Sequence, residues 1–180
     1  IEGRITREQG RGTFIAEPKI VQELTLTGYT EDMIKHGMVP SSRILSIAKT
    51  SEDAKAIAAL DLPPSSSVLV ISRLRLADGV PMAIEVAHFS HERFGRIADL
   101  INEDASVYEL LDVEFGVRLD HAEETIESAV ASPEDAELLR SEVGGPILLL
   151  SRNSYDAGDN MIEFVRSRYR GDRFRFVAKL

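Results

Sequence analysis

Cysteine is absent from this 180-residue chain, which excludes a disulfide scaffold, a thiolate metal site and a cysteine nucleophile. No apolar run approaches the ~20 residues of a membrane-spanning helix. The opening residues Ile1-Glu2-Gly3-Arg4 are charged and do not read as a secretory signal. A cytoplasmic protein without membrane contacts is therefore expected. His36, His88, His91 and His121 stand apart, without the i, i+4 spacing of metal ligands on a helix, and no metal or other cofactor is expected. No serine sits in a nucleophile-elbow pattern. Gly10-Arg11-Gly12 is too short, and lacks the helix context, to be a phosphate-binding loop. Positive charge is in deficit, with 21 Lys and Arg against 30 Asp and Glu and a net charge of −9. That balance argues against the bulk of the chain gripping a nucleic-acid backbone by itself.

What remains is one medium domain, or a domain with an appendage, large enough for a real core. The first helix reads as Thr30 to His36, with acids in its first turn and Gly37 as terminator. A strand is expected over 43–49, then a helix capped by Ser51 and ended by Pro63-Pro64. A weak amphipathic stretch covers 94–103. Ser106 opens a firmer helix that runs to about Phe115 and Gly116. Residues 118–130 read as a long strand, and Ser132-Pro133 begins a helix to about Val143. A hairpin follows, Ile147 to Tyr155 and Met161 to Tyr169, and Phe174 to Val177 is a last short strand. Adjacent hairpins with interspersed short helices predict α+β with a mostly antiparallel sheet.

The most informative segment runs from Ser72-Arg73-Leu74-Arg75-Leu76 through Ala77-Asp78-Gly79 to Val80-Pro81-Met82-Ala83-Ile84-Glu85. The middle triplet is a turn signal between two apolar, strand-like runs. With Gly79 in the left-handed position of a three-residue loop, Leu76 pairs with Val80, Arg75 faces Pro81, Arg73 faces Ala83 and Ile71 faces Glu85. Alternation then puts Arg73, Arg75 and Glu85 on one face. Val68, Val70, Leu74, Leu76, Met82, Ile84 and Val86 make an unbroken apolar surface on the other. Two cations and a carboxylate beside small Ala83 and Ala87 suit a small anion bearing hydroxyls. The alternative is a solvated cross-strand ion pair worth ~0–1 kcal/mol.

Three further features bear on such a pocket. Ser106-Val107-Tyr108-Glu109 has capping-box spacing, and the helix start it caps also offers free amides to an anion. Glu163 and Tyr169 share a strand face with Met161, Val165 and Ser167, where an inward carboxylate could accept from sugar hydroxyls. Arg166, Arg168, Arg170, Arg173 and Arg175 form a basic run, read as solvated or paired with acids such as Asp172. Glu85 and Glu163 could also pair as acid and base, which keeps an enzyme open as the alternative.

The first twenty residues are mildly basic, with Arg4, Arg7, Arg11 and Lys19 against Glu2, Glu8 and Glu17. Ile5 to Ile15 reads as a hairpin with glycines in its turn. Such a ribbon could lie along a DNA groove, with Arg7 and Arg11 on phosphates, or be an ordinary surface hairpin. A hairpin this short is marginal alone, so it is expected to pack on something upstream.

Gln9-Gly10-Arg11-Gly12-Thr13-Phe14 resembles the wing that ends the winged-helix domain of GntR-type bacterial regulators. Tyr29-Thr30-Glu31-Asp32-Met33, the Arg73-Leu74-Arg75 hairpin, Glu124-Thr125-Ile126 and Tyr169-Arg170-Gly171-Asp172-Arg173-Phe174 resemble the effector-binding UTRA domain of the HutC subfamily. The resemblance covers essentially the whole chain except a helix-turn-helix. It implies a chorismate-lyase-like fold, a non-catalytic pocket and a homodimer, closest to repressors that sense N-acetylglucosamine 6-phosphate or glucosamine 6-phosphate. By that resemblance Arg73, Arg75, Ser106 and Tyr108 would hold the phosphate. Glu85 and Glu163 would hold sugar hydroxyls, with Tyr169 and Thr30 nearby. Operator DNA would be the second partner, reached through an N-terminal domain of which only the wing is here. The corresponding division is a wing at 1–16, a linker at 17–24 and the effector-binding and dimerisation domain at 25–180. A chorismate-lyase-like enzyme acting on a small anion is the alternative.

Overall fold

A computed structural model describes residues 18–179 in full, and before them the backbone of two short strands. These are β1 (Ile5–Glu8) and β2 (Gly12–Ile15), paired antiparallel with Ile5 opposite Ile15. The expected opening hairpin is therefore present; Arg7 falls on β1, and Arg11 lies outside the described residues. In chain order there follow β3 (Ile20–Glu23), α1 (Tyr29–Lys35), β4 (Pro40–Thr50), α2 (Ala54–Ala59), β5 (Val68–Ala77) and β6 (Val80–Ser90). Next come α3 (His91–Phe94), α4 (Ile97–Leu100), α5 (Val107–Phe115), β7 (His121–Val130) and α6 (Pro133–Leu139). The chain closes with β8 (Pro146–Tyr155), β9 (Met161–Arg170) and β10 (Phe174–Val177).

Six strands form one antiparallel sheet in the order β4-β5-β6-β9-β8-β7, while β3 and β10 pair in parallel apart from it. The α+β class with a mostly antiparallel sheet is thus as expected. Two apolar clusters sit on one face of the sheet. At one end Leu69, Ile71, Ala87 and Phe89 take α3, α4 and α5 through Phe94, Ile97 and Leu111. At the other, Ala77 and Met82 pack with Ile20, Tyr29, Met33 and Phe174 from β3, α1 and β10. Each fully buried large side chain contributes ~1.5–3 kcal/mol, so both ends are firmly held. The strand residues between the clusters are Arg73, Arg75 and Glu85.

The hairpin differs from expectation in register. Asp78 and Gly79 both have positive φ, 51° and 75°, the signature of a two-residue turn that matches strand twist. Ala77 therefore pairs with Val80, and Leu76 with Pro81. A bulge at Met82 then brings Arg75 opposite Ala83 and Arg73 opposite Glu85. The three polar residues still share one face, now with Arg73 and Glu85 directly paired. The opposite face is not the unbroken apolar surface expected. Leu74 and Ile84 pack under α6 and Val68 under α2, but Val86 lies in an open polar groove between them.

Smaller differences have local causes. The cap of α2 is Asp53, which accepts from the Ala56 amide at 2.9 Å, rather than Ser51. Helix α6 keeps its Ser132 cap in a full capping box with Asp135, but stops at Leu139 because Arg140 turns left-handed. Met161 joins the cluster under α2 instead of the Glu163 face, because a bulge interrupts the β8–β9 register beside it. β3 falls inside the stretch read as linker, its partner β10 being at the far end of the chain.

Candidate functional site

Strand alternation aims Arg73, Arg75, Glu85 and Ala87 of β5 and β6, and Glu163, Val165, Ser167 and Tyr169 of β9, at the gap between the two clusters. The N-termini of α1 and α5 close the gap from either side. The result is a cleft with about 750 Å³ of empty space, its open mouth included. Thr30, Arg73, Arg75, Glu85, Ser106, Tyr108, Glu163 and Tyr169 all line it. Every residue selected as a pocket candidate from the sequence therefore meets the others in one space.

The charges in this cavity are unequally matched. Arg73 is buried and donates from Nε to Glu85 at 3.1 Å, with a second, shorter bond from its terminal nitrogen to the same oxygen. Burial pushes the Glu85 carboxyl up, but Arg73 and then Arg75 outweigh it and leave its pKa below the ordinary 4.5. Arg75 is only 3% exposed, yet among the described residues no carboxylate lies within 4.0 Å of it. Its terminal nitrogens donate to neutral hydroxyls, Ser42 at 2.8 Å and Thr30 at 3.0 Å. Its guanidinium lies 4.5 Å over the Tyr29 ring. Its Nε has no acceptor. Burial pulls the Arg75 pKa down against the longer-range attraction of Glu85, as expected of a desolvated cation whose direct partners are neutral.

A second polar cluster faces it. Glu163, 1% exposed, accepts on Oε1 from Tyr108 at 2.8 Å and Ser154 at 2.9 Å. Burial pushes the Glu163 carboxyl up, and Glu85 adds to the effect. A group raised on folding gives its full stability below the unfolded pKa and loses it as pH rises through the folded value. Glu163→Gln should therefore gain stability relative to the parent as pH rises from 4 to 8, read by thermal denaturation of the ligand-free chain. A constant difference across that range would contradict the burial of an ionising Glu163.

Sequence reasoning missed Arg152 and the role of Glu124. From neighbouring strands β8 and β7 they form a forked pair, Nε to Oε1 at 2.9 Å and a terminal nitrogen to Oε2 at 3.3 Å. Arg152 also donates to the Thr27 carbonyl at 3.1 Å and the Tyr108 hydroxyl at 3.3 Å. It thereby ties the segment before α1 to α5 and lines the cavity. The available signal was one arginine in an otherwise apolar run, Ile147-Leu148-Leu149-Leu150-Ser151-Arg152. Ser106 makes its half of the expected capping box, its hydroxyl accepting from the Glu109 amide at 3.4 Å, without a return bond from the Glu109 side chain.

Of the basic run in β9 and beyond, Arg170 pairs with Asp172 at 2.6 Å and Arg168 with Asp135 at 3.1 Å. Neither lines the cavity. Among the described residues no group of His, Asp and Glu could hold a metal ion, and no helix is long and apolar enough to cross a membrane.

Comparison with known proteins gives a consistent result. Residues 35–175 match the UTRA domain. The HTH-type transcriptional repressor NagR of Bacillus subtilis is 36% identical over 177 residues, 98% of this chain and 72% of that protein. The HTH-type transcriptional repressor PhnF of Mycolicibacterium smegmatis is 32% identical over 178 residues, 99% of this chain and 72% of that protein. The crystal structure of PhnF superposes with a TM-score of 0.85 at 31% identity, covering 99% of this chain and 79% of that one. The structure of the PhnF effector domain gives 0.83 at 28% identity, over 89% of this chain and 99% of that one. With a cavity between its two clusters and these matches along nearly all its length, the chain belongs to the UTRA-domain family of GntR/HutC-type transcriptional regulators.

Proposed function

We propose that this chain is the effector sensor of a cytoplasmic, homodimeric transcriptional repressor, and that its effector is a phosphorylated amino sugar, glucosamine 6-phosphate or N-acetylglucosamine 6-phosphate. The observation that carries the reading is Arg75, a buried cation with hydroxyl partners, a free Nε and no carboxylate within 4.0 Å among the described residues. Bringing a dianion there supplies the missing counter-charge, and charge-assisted bonds to phosphate are about twice as strong as neutral ones. Arg73, Ser106 and Tyr108 complete the phosphate end, with Thr30 beside Arg75. Glu85, Glu163 and Tyr169 receive the sugar hydroxyls.

Arg7 and Arg11 are assigned to phosphate contacts on operator DNA, within a wing at 1–16. Residues 17–24 join it to the effector-binding and dimerisation domain, 25–180, and β3 makes the end of that join part of the folded unit. Effector binding shifts the equilibrium between DNA-competent and incompetent arrangements. The pocket acts by binding and not by turnover, since Glu85, one of its two candidate acid–base carboxylates, is held against Arg73; amino-sugar phosphates should be recovered unchanged after long incubation.

A thermal-shift series tests ligand choice. Either sugar phosphate should raise the melting temperature strongly, since a ligand at 100 times its Kd adds about 2.7 kcal/mol. The unphosphorylated sugars should do far less. Equal shifts from N-acetylglucosamine and its 6-phosphate would remove the phosphate from the reading. In the repressor with its N-terminal domain restored, operator affinity unchanged by saturating sugar phosphate would refute regulation while leaving binding intact.

A further inference from the structure

Tyr108 has one hydrogen to give, and a bound phosphate would make a second claim on it. In the empty cavity its direction is fixed. Arg152 Nη1 approaches the phenol oxygen at 3.3 Å, and a guanidinium has no acceptor, so Arg152 is the donor in that bond. The phenol hydrogen therefore goes to Glu163 Oε1, 2.8 Å away. Burial first, and Glu163 second, push the phenol well above its ordinary 10.0, so Tyr108 keeps that hydrogen. Ser154 gives Oε1 a second hydrogen at 2.9 Å. Glu163 Oε2 accepts from none of the described residues, and no cation among them lies within 4.0 Å of the carboxylate.

A phosphate monoester is a dianion above its second pKa of about 6, and it then offers acceptors alone. For Tyr108 to hold it, the phenol hydrogen must leave Glu163. That carboxylate then keeps one donor of its two, in a pocket that has gained a dianion. Arg73 is committed to Glu85 and Arg152 to Glu124, so Arg75 alone cannot balance the ligand's charge. The groups facing Glu163 are Tyr108 from α5, Arg152 from β8 and Glu85 from β6. Arg73 and Arg75 of β5 and Tyr169 of its own strand line the same space. The remaining cavity carboxylates are settled. Glu23 pairs with Lys35 and Lys179, and Asp32 keeps its bond from Thr27 at 2.6 Å. Only Glu163 loses a donor in the exchange.

We propose that the sugar phosphate binds together with one proton, which Glu163 carries in the complex. The proposal rests on the sugar-phosphate reading above. The proton comes from solvent and forms an O–H bond on Oε2, while Tyr108 turns its own hydrogen to the phosphate without giving it up. One negative charge is thereby removed from the cavity as the dianion enters. Arg152 is a positioning residue in this exchange, since its bond to the phenol oxygen holds in both states and keeps Tyr108 a donor. The sensor would then read acidity as well as metabolite.

Calorimetric titration of the full chain with N-acetylglucosamine 6-phosphate tests it, at about pH 8, where the ligand is a dianion and its amide nitrogen does not titrate. Buffers of different ionisation enthalpy report the protons taken up. The parent should take up about one, and its Kd should rise about tenfold per pH unit. Glu163→Gln should bring the uptake close to zero and flatten that dependence. Ser154→Ala should lower the uptake, because Glu163 with one donor fewer already holds its proton in the empty cavity. No uptake by a parent that binds would overturn the proposal and leave the sensor intact, as would uptake unchanged in Glu163→Gln. Uptake lost in Asp32→Asn but kept in Glu163→Gln would overturn it in favour of α1. Where Glu163→Gln fails to bind, Ser154→Ala decides, and uptake equal to the parent's overturns the proposal. A parent that binds neither sugar phosphate would remove the sugar-phosphate reading and the proton with it.

Discussion

Arg75→Ala should leave the ligand-free chain as stable as its parent, or more so, while removing roughly 2–5 kcal/mol of sugar-phosphate binding. The two halves of this expectation have one cause. The Arg75 guanidinium is desolvated without a carboxylate partner, its contacts being two hydroxyls and the Tyr29 ring, so in the empty cavity it is a liability. With phosphate bound it becomes the charge that the ligand needs, and its removal would strand a buried anion. Arg75→Lys should recover little, because one ammonium cannot reach Ser42, Thr30 and the ligand from a single forked plane. Calorimetry and thermal denaturation on the same preparations read both halves. A stability loss matching the affinity loss would make Arg75 an ordinary structural residue.

Glu85→Ala should behave in the opposite sense and cost the empty chain about 3–5 kcal/mol, because it leaves the buried Arg73 unpaired. For a domain of this size that corresponds to a melting temperature lower by on the order of 10 °C. The pH dependence follows from the lowered Glu85 pKa. A carboxyl whose folded value lies below its ordinary 4.5 adds stability that is fully present above 4.5 and is lost as pH falls through the folded value. Parent and variant curves should therefore be far apart at neutral pH and converge in acid. Curves that stay parallel down to acid unfolding would deny Glu85 this role. Glu85→Gln keeps an acceptor for Arg73 and should fall between them.

These contrasts were only partly readable in the amino-acid order. Arg73, Arg75 and Glu85 could be placed on one face because alternation along a strand is a local rule, and it survived an error of register. The three-residue loop was wrong because Asp78 takes positive φ together with Gly79, and the bulge at Met82 restored the polar residues to a common face. Ser106 and Ser132 were legible as caps because a cap is decided within four residues. Arg152 was not, since its meaning depends on Glu124 in the neighbouring strand and on Thr27, which lies 125 positions away. β3 escaped for the same reason: four residues with one buried isoleucine look like linker until β10 is beside them. The free charge on Arg75 was also invisible, because burial and the lack of a carboxylate are properties of the assembled cavity.

The parallel pairing of β3 with β10 has a consequence for how the protein is made. Ile20 pairs with Phe174 and Glu23 with Val177, so one wall of the cavity joins the earliest described full segment to the latest strand. Phe174 and Phe176 also pack edge-on against Tyr169, with ring centroids 4.9 Å and 5.4 Å away. During synthesis the six-stranded sheet can assemble as soon as β9 emerges, yet α1 and Thr30 have no backing until residues 174–177 follow. A chain stopped after Gly171 should therefore show the sheet's circular dichroism while failing to bind sugar phosphate. On the ribosome, the ability to sense would arrive only after the sheet is complete, once residues 174–177 have emerged.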